Sequence, residues 1–474
     1  MAYLSKQHSA GKYAAPAALL TGVLLYFGSG LDTIPALTWL APLPVLLVAR
    51  HLNKRLTALT AFIGWSLGLA NLWTYLLNDL ELPPAAMSFL VLLAGVFTLT
   101  ALLFRALILR GRYLTAALAA PASWAAADYL IALVSPHGAF TSLAYTQADV
   151  HLVAQIASLT GVWGLTYLLL TPAAVVAAIA HAPRRTGVQL ATALALVAIG
   201  TFSYGAWRLS GEETSQAVKI AIVSASNGLD DTRWSGANGP AILTAYTKQI
   251  EAAAAKGAQV VVLPEKFIDV DATTLPDLES QLQKVSTTTK VQLVAGFTVF
   301  GDHGNDYNRA LLFHPTGGAP LSYDKHHLIP GIEPYEPGDH LAMTGNWGVM
   351  ICKDLDFPAL ARQYGEKKTG LLLVPALDFD NDGWLHSRHA LLRGIENGIP
   401  IARNGSQGLL TLSDAYGRVT TQLAAPTGRD VTLVGDLRPG IHSTLYTKYG
   451  DWFAWLSCLL TLVGLGALRP SKRA

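Results

Sequence analysis

The stretch "GVMICKDLDFP" (residues 348–358) places a cysteine at the end of a short apolar run. Three apolar residues precede Cys352, and a lysine and an aspartate follow it directly. Pro358 suits the first turn of a helix, so the pattern predicts a buried strand, a turn and then a helix. Strand and helix patterns alternate throughout residues 211–440, which predicts an α/β fold with layers packed around a core.

The composition indicates a membrane protein that also contains a soluble domain. Of the 474 residues, 51% are hydrophobic and only 14% are charged, whereas soluble domains carry roughly 25% charged residues. The long apolar runs are confined to residues 1–209 and 452–469, and residues 211–440 have the composition of a soluble domain. A net charge of +2 without a basic stripe argues against nucleic-acid binding.

Several apolar segments approach the roughly 20 residues that a helix needs to cross a bilayer. The candidate spans are residues 14–29, 34–49, 57–78, 86–109, 114–134, 151–181, 187–208 and 452–469. They divide the chain into a seven-span membrane domain (1–210), an α/β domain (211–449) and a C-terminal transmembrane helix (450–474).

The charges between these segments follow the positive-inside rule. Basic residues occur in every second loop, namely Lys6, Lys12, Arg50, Lys54, Arg55, Arg110, Arg112, Arg184, Arg185, Arg469, Lys472 and Arg473. The intervening loops, such as "NDLELPP" (78–84), contain no Lys or Arg. We therefore expect both ends of the chain in the cytoplasm and residues 211–449 on the opposite side of the membrane.

The cysteine content raises the question of what Cys352 does. The chain has two cysteines, and Cys458 lies in the last apolar segment, so Cys352 has no disulfide partner within residues 211–449. Cysteines in exported domains usually occur in pairs. A lone one is either a reactive thiol or a small buried apolar residue, and the residues alone leave both alternatives open.

Three predicted strands end at or near a residue suited to acyl transfer. Glu265 follows "QVVVLP", Lys325 lies near the end of "GAPLSYDKHH", and Cys352 ends "WGVMIC". Site residues of α/β sheets gather at the carboxyl ends of strands. A carboxylate accepts a thiol proton, and an ammonium stabilises both a thiolate and an oxyanion. The alternative is that Glu265 and Lys325 are solvated strand ends.

Three segments resemble the motifs of the nitrilase, or carbon–nitrogen hydrolase, superfamily. "LPEK" (263–266) resembles its Glu motif, "YNRALLFHPTGGAPLSYDKHHLIP" (307–330) its Lys motif and "GVMICKDLDFP" its Cys motif. The predicted arrangement of seven spans, a domain and one further span is similar to the apolipoprotein N-acyltransferase branch. Three more segments resemble that branch: "LTWLAPLPVLLVA" (37–49), "QIASLTGVWGLTYLLL" (155–170) and "WLHSRHALLRGIENGIPIARNGSQG" (384–408).

The resemblance implies a fold and a set of site residues. Beside a polytopic α-helical membrane domain of about eight spans, residues 211–449 would form a nitrilase-like catalytic domain, an αββα sandwich of two β-sheets. Cys352 would be the nucleophile, Glu265 the general base and Lys325 the cation that stabilises the oxyanion. Glu333 matches a supporting carboxylate that orients the lysine, and Asp354 takes the place of a family glutamate.

Two features depart from the family's pattern. Lys353 stands where the family has tyrosine, and "ALDFDNDGW" (376–384) lacks the family's Trp-Phe-Gly sequence. Trp384 and His386 match the motif that follows, and we expect them to line the substrate pocket. Four histidines could suggest a metal site, but no cysteine or carboxylate completes a zinc-ligand pattern with them, so we expect no metal; they are His326, His327, His386 and His389. We also expect no cofactor.

The resemblance implies a membrane N-acyltransferase. It would move a fatty acyl chain from a phospholipid, through a thioester on Cys352, to the N-terminal amine of an apolipoprotein. We expect a monomer, surrounded by membrane lipids, that crosses the bacterial inner (cytoplasmic) membrane several times and has a periplasmic catalytic domain. The alternative is a membrane-tethered amidase with water as the acceptor. A transporter is disfavoured because the spans lack paired charges.

The predicted topology can be tested with reporters fused after Ser210. Alkaline phosphatase should be active there, because the loop charges place residues 211–449 outside the cytoplasm. Fusions after Arg112, in a basic loop, are the matched control, and alkaline phosphatase should be inactive there. An active β-galactosidase fusion after Ser210 would contradict the topology.

Overall fold

The computed structural model describes residues 11–211, 215–225, 232–301 and 304–469, which form two compact units. The first unit consists of the described residues up to Ser135, of Ala139–Leu209 and of the described residues from Tyr449 onward. The second unit consists of Pro136–Gly138 and the described residues of Ser210–Lys448.

One short stretch is grouped differently from the predicted domains. Pro136–Gly138 lies inside the predicted membrane domain (1–210), but its contacts assign it to the second unit. Among the basic residues that carry the topology prediction, Lys6, Lys472 and Arg473 lie outside the described residues.

The α-helices are described in chain order. They are α1 (Ala14–Gly28), α2 (Pro35–Leu40), α3 (Leu43–Ala49), α4 (Lys54–Leu69), α5 (Ser88–Leu109), α6 (Tyr113–Val134), α7 (His151–Ala154), α8 (Ala157–Ile179), α9 (Arg184–Leu209), α10 (Gly239–Ala255), α11 (Leu275–Thr289), α12 (Pro358–Glu366), α13 (Gly383–Asn397), α14 (Leu445–Tyr449) and α15 (Trp452–Gly466).

Four helices of the first unit, α5, α6, α8 and α9, are long and apolar enough to cross a membrane. Shorter apolar helices cover Ala14–Gly28, Pro35–Ala49 and Trp452–Gly466. The predicted span 57–78 is not one α-helix, because α4 ends at Leu69 and the chain continues through 3₁₀ and π turns. The predicted total of about eight spans stays a prediction.

Glycines allow α1 and α4 to approach each other closely. A Cβ atom at Gly22 would lie 2.8 Å from Leu67 Cβ, and one at Gly68 would lie 2.5 Å from the Leu25 side chain. Small residues at such contacts let apolar helices pack tightly in lipid, where no hydrophobic force drives their association.

The strands all belong to the second unit. In chain order they are β1 (Val218–Ser224), β2 (Val260–Val262), β3 (Ile268–Asp271), β4 (Gln292–Phe300), β5 (Tyr307–Phe313), β6 (Leu321–Asp324), β7 (Ala342–Thr344), β8 (Trp347–Val349), β9 (Leu371–Leu377), β10 (Ile401–Ser406), β11 (Leu409–Ser413), β12 (Val419–Ala424) and β13 (Val431–Leu437).

These strands form two sheets. The first has the order β13-β1-β2-β4-β5-β6, with β3 also paired to β4, and the second has the order β12-β11-β10-β9-β8-β7. Strands β1, β2 and β4 are parallel to one another, and so are β8, β9 and β10. Each sheet therefore has a parallel centre, and the central strands of each sheet end at a common edge.

Alternating side chains divide the strands between separate cores. In β1, Ile220 and Ile222 pack between the two sheets, whereas Ala221 and Val223 pack on the outer face with α10 and α11. On the other side, α12 and α13 cover the outer face of the second sheet. This α-β-β-α order confirms the predicted sandwich of two sheets.

The predicted triad residues all follow strands. Glu265 lies three residues after β2, Lys325 directly follows β6, and Cys352 opens a 3₁₀ turn after β8. Gly296 of β4 lies against the first of these segments: a Cβ atom there would be 2.7 Å from both Glu265 Cα and the Pro264 carbonyl oxygen. The glycine thus allows the backbone that carries Glu265 to pack directly on β4.

Substitution of Gly296 by alanine should destabilise the second unit. The added Cβ has no room against backbone atoms, and overpacking of this kind costs about 1–3 kcal/mol. Thermal denaturation in detergent would measure the loss. Gly200→Ala is the control, because that helical glycine has nothing within 4 Å of its Cβ position, and it should not lower the melting temperature. A Gly296→Ala protein as stable as the parent would refute the close contact.

Candidate active site

Glu265 joins the two sheets at the candidate site. Its Oε1 accepts hydrogen bonds from Lys325 Nζ at 2.8 Å and from Asn308 Nδ2 at 2.6 Å. Its Oε2 accepts one from the backbone N–H of Leu377, the last residue of β9, at 3.0 Å. The carboxylate comes from the first sheet and the N–H from the second, so this side chain is fixed relative to both.

Lys325 lies between two carboxylates. Besides its contact with Glu265, its Nζ lies 2.8 Å from Glu333 Oε2 and 3.0 Å from Glu333 Oε1. Burial opposes the charge, but Glu265, Cys352 and Glu333 together raise the pKa of Lys325 well above its usual value. The ammonium has three protons, and three carboxylate oxygens surround it, one of Glu265 and two of Glu333.

Glu333 supports this lysine. Burial opposes its ionisation, yet the charges of Lys325 and Lys266 outweigh that effect and lower the pKa of Glu333 to about 2. Its Oε2 also accepts a hydrogen bond from the backbone N–H of Ile329 at 2.9 Å. The side chain is therefore held ionised and in a fixed orientation.

Cys352 occupies a strained position at the start of its turn. Its φ is +43°, an angle that non-glycine residues rarely adopt and that clusters at functional sites. Its Sγ lies 3.7 Å from the Leu377 carbonyl oxygen. Burial and the charge of Glu265 raise the pKa of the Cys352 thiol, although Lys325 and Arg403 oppose them. The resting thiol therefore holds its proton and needs a base.

Asp354 supports the turn after Cys352. It accepts hydrogen bonds from Tyr323 Oη at 2.7 Å, from the His327 N–H at 2.9 Å and from the Ile351 N–H at 3.3 Å. Burial raises its pKa to about 7, against these hydrogen bonds and the charge of Lys325. Asp354 therefore hydrogen-bonds to groups that surround the turn.

Comparison with known proteins places the chain in a family. The carbon–nitrogen hydrolase family matches residues 212–448, and the N-terminal domain of apolipoprotein N-acyltransferase matches residues 21–175. The chain belongs to the apolipoprotein N-acyltransferase family, within the nitrilase superfamily.

Curated relatives are similar over almost the whole chain. An apolipoprotein N-acyltransferase of Geobacter metallireducens is 25% identical, with 96% of this chain and 95% of that protein covered. One of Brucella melitensis is 26% identical, with 94% and 92% covered. Among solved structures, Nit3 of Saccharomyces cerevisiae, a member of branch 10 of the nitrilase superfamily, has a TM-score of 0.41 and 21% identity, and covers 51% of this chain and 97% of its own.

Two groups near the candidate triad were not predicted from the sequence of this family member. Asn308 Nδ2 donates to both carboxylates, Glu265 at 2.6 Å and Glu333 at 2.9 Å, and so fixes their separation. Arg403 forms a bidentate pair with Asp378, with Nη1 2.9 Å from Oδ2, and lies close enough to oppose the rise in the pKa of the cysteine. Asn308 and Arg403 lie in strands that also contain other polar residues, Arg309 in β5 and Asn404 in β10, so the sequence offered no specific signal for either of them.

Trp384 and His386 lie at the start of α13, and their role in substrate binding stays a prediction. The Arg388 guanidinium lies over the Trp384 ring, 5.1 Å from its centroid. His386 Nε2 lies 3.1 Å from Asp382 Oδ2. Burial opposes protonation of His386, but Asp382 outweighs it and raises the pKa to about 9. This histidine is therefore a cation at neutral pH.

The structure also places a carboxylate beside two of the histidines. One ligand atom from each of Asp356, His386 and His389 lies within 4.8 Å of the others. His389 Nδ1 and Asp356 Oδ1 are hydrogen-bonded to each other directly, at 2.5 Å. Burial lowers the pKa of His389 to about 4 despite that carboxylate. The contact is a hydrogen bond that holds the turn after Cys352 against α13.

Substitution of Lys325 by arginine should be nearly as damaging as substitution by methionine. The site fits a compact ammonium within 2.8 Å of two carboxylates, and a planar guanidinium is larger. Loss of one oxyanion donor lowers turnover by about 10²–10³-fold, which steady-state assays with correctly folded protein would show. The control is Lys284→Arg on the exposed side of α11, which should keep full activity. Substantial turnover by Lys325→Arg would show that Lys325 acts only as a general positive charge.

Proposed function

We propose that the protein moves a fatty acyl chain from a phospholipid, through a thioester on Cys352, to the N-terminal amine of an apolipoprotein. The observation that carries the proposal is the buried contact of Lys325 Nζ with Glu265 Oε1, which are 2.8 Å apart. Both charges act on the Cys352 thiol, and the chain is similar over almost its whole length to proteins named apolipoprotein N-acyltransferase. The phospholipid donor and lipoprotein acceptor are inferred from those names.

In the first half-reaction, Glu265 takes the proton of the Cys352 thiol. The thiolate attacks the carbonyl carbon of the phospholipid ester, and the positive charge of Lys325 stabilises the oxyanion. When the tetrahedral intermediate collapses, the ester C–O bond breaks. The departing lysophospholipid oxygen takes the proton from Glu265, which leaves a thioester on the sulfur.

In the second half-reaction, the neutral amine of the acceptor attacks the thioester carbonyl carbon. Glu265 takes a proton from the attacking nitrogen, and collapse of the second intermediate breaks the C–S bond. The proton then returns from Glu265 to the cysteine sulfur. An amide and a free Cys352 thiol result, so Glu265 acts as base and then as acid in each half.

The membrane arrangement is part of the proposal. Seven spans before the catalytic domain and one after it would place that domain in the periplasm, where the acceptor amine is found. The four long apolar helices and the absence of Lys and Arg from alternate loops support this arrangement. We propose that the protein acts as a monomer in the bacterial inner membrane, surrounded by the lipids that supply its donor.

Purified enzyme given phospholipid alone should accumulate an acyl thioester on Cys352. A two-step transfer holds the acyl group until the second substrate arrives, whereas an amidase always has water available. Intact-protein mass spectrometry would show the added mass, and hydroxylamine should remove it. The expected occupancy is a large fraction of the protein, because the thiol is buried and shielded from water.

Two cysteine variants serve as controls for this experiment. Cys352→Ser should form no adduct, because a serine hydroxyl is far harder to deprotonate than a thiol. Cys458→Ser, in α15, should form the adduct normally. Rapid release of free fatty acid without an adduct would indicate a lipid hydrolase. Turnover of small amides with no reaction toward phospholipid would indicate the amidase.

A further inference from the structure

Lys353 directly follows the candidate nucleophile, and its side chain is buried against backbone carbonyl groups. Its Nζ donates to the Pro136 carbonyl oxygen at 2.5 Å and to the Leu328 carbonyl oxygen at 2.9 Å. Burial and the charge of Lys325 lower the pKa of Lys353, although nearby carboxylates counteract them. A buried ammonium costs free energy that an apolar side chain would not, so packing alone does not explain a lysine here.

One of these carbonyl groups belongs to a loop that contacts the candidate site. The residue after Leu328, Ile329, donates its N–H to Glu333 Oε2 at 2.9 Å. Glu333 in turn holds Lys325 through both of its oxygens, at 2.8 Å and 3.0 Å. A chain of direct contacts therefore leads from Lys353 through this loop to the catalytic ammonium.

The other carbonyl group begins the stretch Pro136–Gly138, which packs on the turn after the nucleophile. Gly138 has a φ of +52°, and a Cβ atom there would lie 2.6 Å from the Asp356 carbonyl oxygen and 3.0 Å from the Phe357 ring. The close approach requires glycine at this position. Lys353 and Gly138 thus make two neighbouring contacts between this stretch and the turn.

We propose that Lys353 is a positioning residue for the reaction of Cys352. Its ammonium holds Pro136–Gly138 and the loop at Leu328 against the turn that carries Cys352. Because the same loop contacts Glu333, the ammonium also keeps Lys325 aligned. The inference rests on the proposed acyl transfer only where turnover is measured, because the reactivity of the thiol reports the same alignment without any substrate.

The test compares Lys353→Met and Lys353→Arg in the full-length Cys458→Ser protein. The second-order rate of Cys352 alkylation by iodoacetamide should fall about 10²-fold in Lys353→Met, since misplacement by about 1 Å has an effect of this size. Lys353→Arg should recover at least a tenth of the parent rate, because a guanidinium also donates to two carbonyl groups. Thioester formation from phospholipid should follow the same order, mainly through kcat and with little change in KM.

A double-mutant cycle tests whether Lys353 acts through Pro136–Gly138. Gly138→Ala should displace that stretch because its Cβ has no room. If both residues hold the same stretch, Lys353→Met combined with Gly138→Ala should be no slower than the slower single variant. Multiplicative losses would show that the two residues act independently and would overturn this part of the inference. Lys219→Met is the control. Lys219 lies near the amino end of β1, whereas the candidate site residues follow the carboxyl ends of their strands, so this variant should be alkylated at the parent rate.

The outcomes separate this inference from the proposed function. Parent-like alkylation and thioester formation in Lys353→Met would overturn the inference while leaving the acyl transfer intact. Slow alkylation in Lys353→Met and recovery in Lys353→Arg, with no thioester in the parent protein, would support the inference and refute the proposed donor. If Lys353→Met does not fold, the alkylation rate of Gly138→Ala decides. A rate equal to that of the parent overturns the inference, and a rate well below it supports the inference.

Discussion

The candidate site depends on one buried ammonium placed between two carboxylates. Lys325 is 1% exposed, and Glu265 and Glu333 are 2% and 5% exposed. Removing such charges from water costs several kcal/mol per ion, which only close and complete pairing offsets. Loss of Lys325 would leave two buried carboxylates without their shared cation, and loss of either carboxylate would remove one partner of the ammonium, so the position of each group constrains the other two.

This constraint extends to both sheets of the second unit. Asn308 fixes the separation of the carboxylates from the first sheet, and the Leu377 N–H binds Glu265 from the second. The carbonyl group of the same residue lies 3.7 Å from the Cys352 sulfur. The end of β9 therefore contacts both the candidate base and the candidate nucleophile, and the layer packing determines the distance between them.

The residues after Cys352 hold the turn through side-chain contacts. Asp354 binds Tyr323 and backbone N–H groups, Asp356 binds His389, and Lys353 binds carbonyl groups. Each contact ties a positive-φ cysteine to a different element. A strained backbone of this kind persists only where the surroundings fix it, and the side-chain contacts of these three residues supply that support.

The sequence by itself determined the α/β layers, because these follow from strand and helix periodicity. It also indicated the family, and with it the two-sheet sandwich that the resemblance implies, because the family's motifs consist of residues close along the chain. It also indicated Glu265, Lys325 and Cys352 as strand-end residues. Only the tertiary structure brought Asn308 and Arg403 to the site and Pro136–Gly138 into the second unit. It also divided the predicted span 57–78 into different helix types. These features depend on contacts between residues far apart in the chain, and local patterns do not contain those distances.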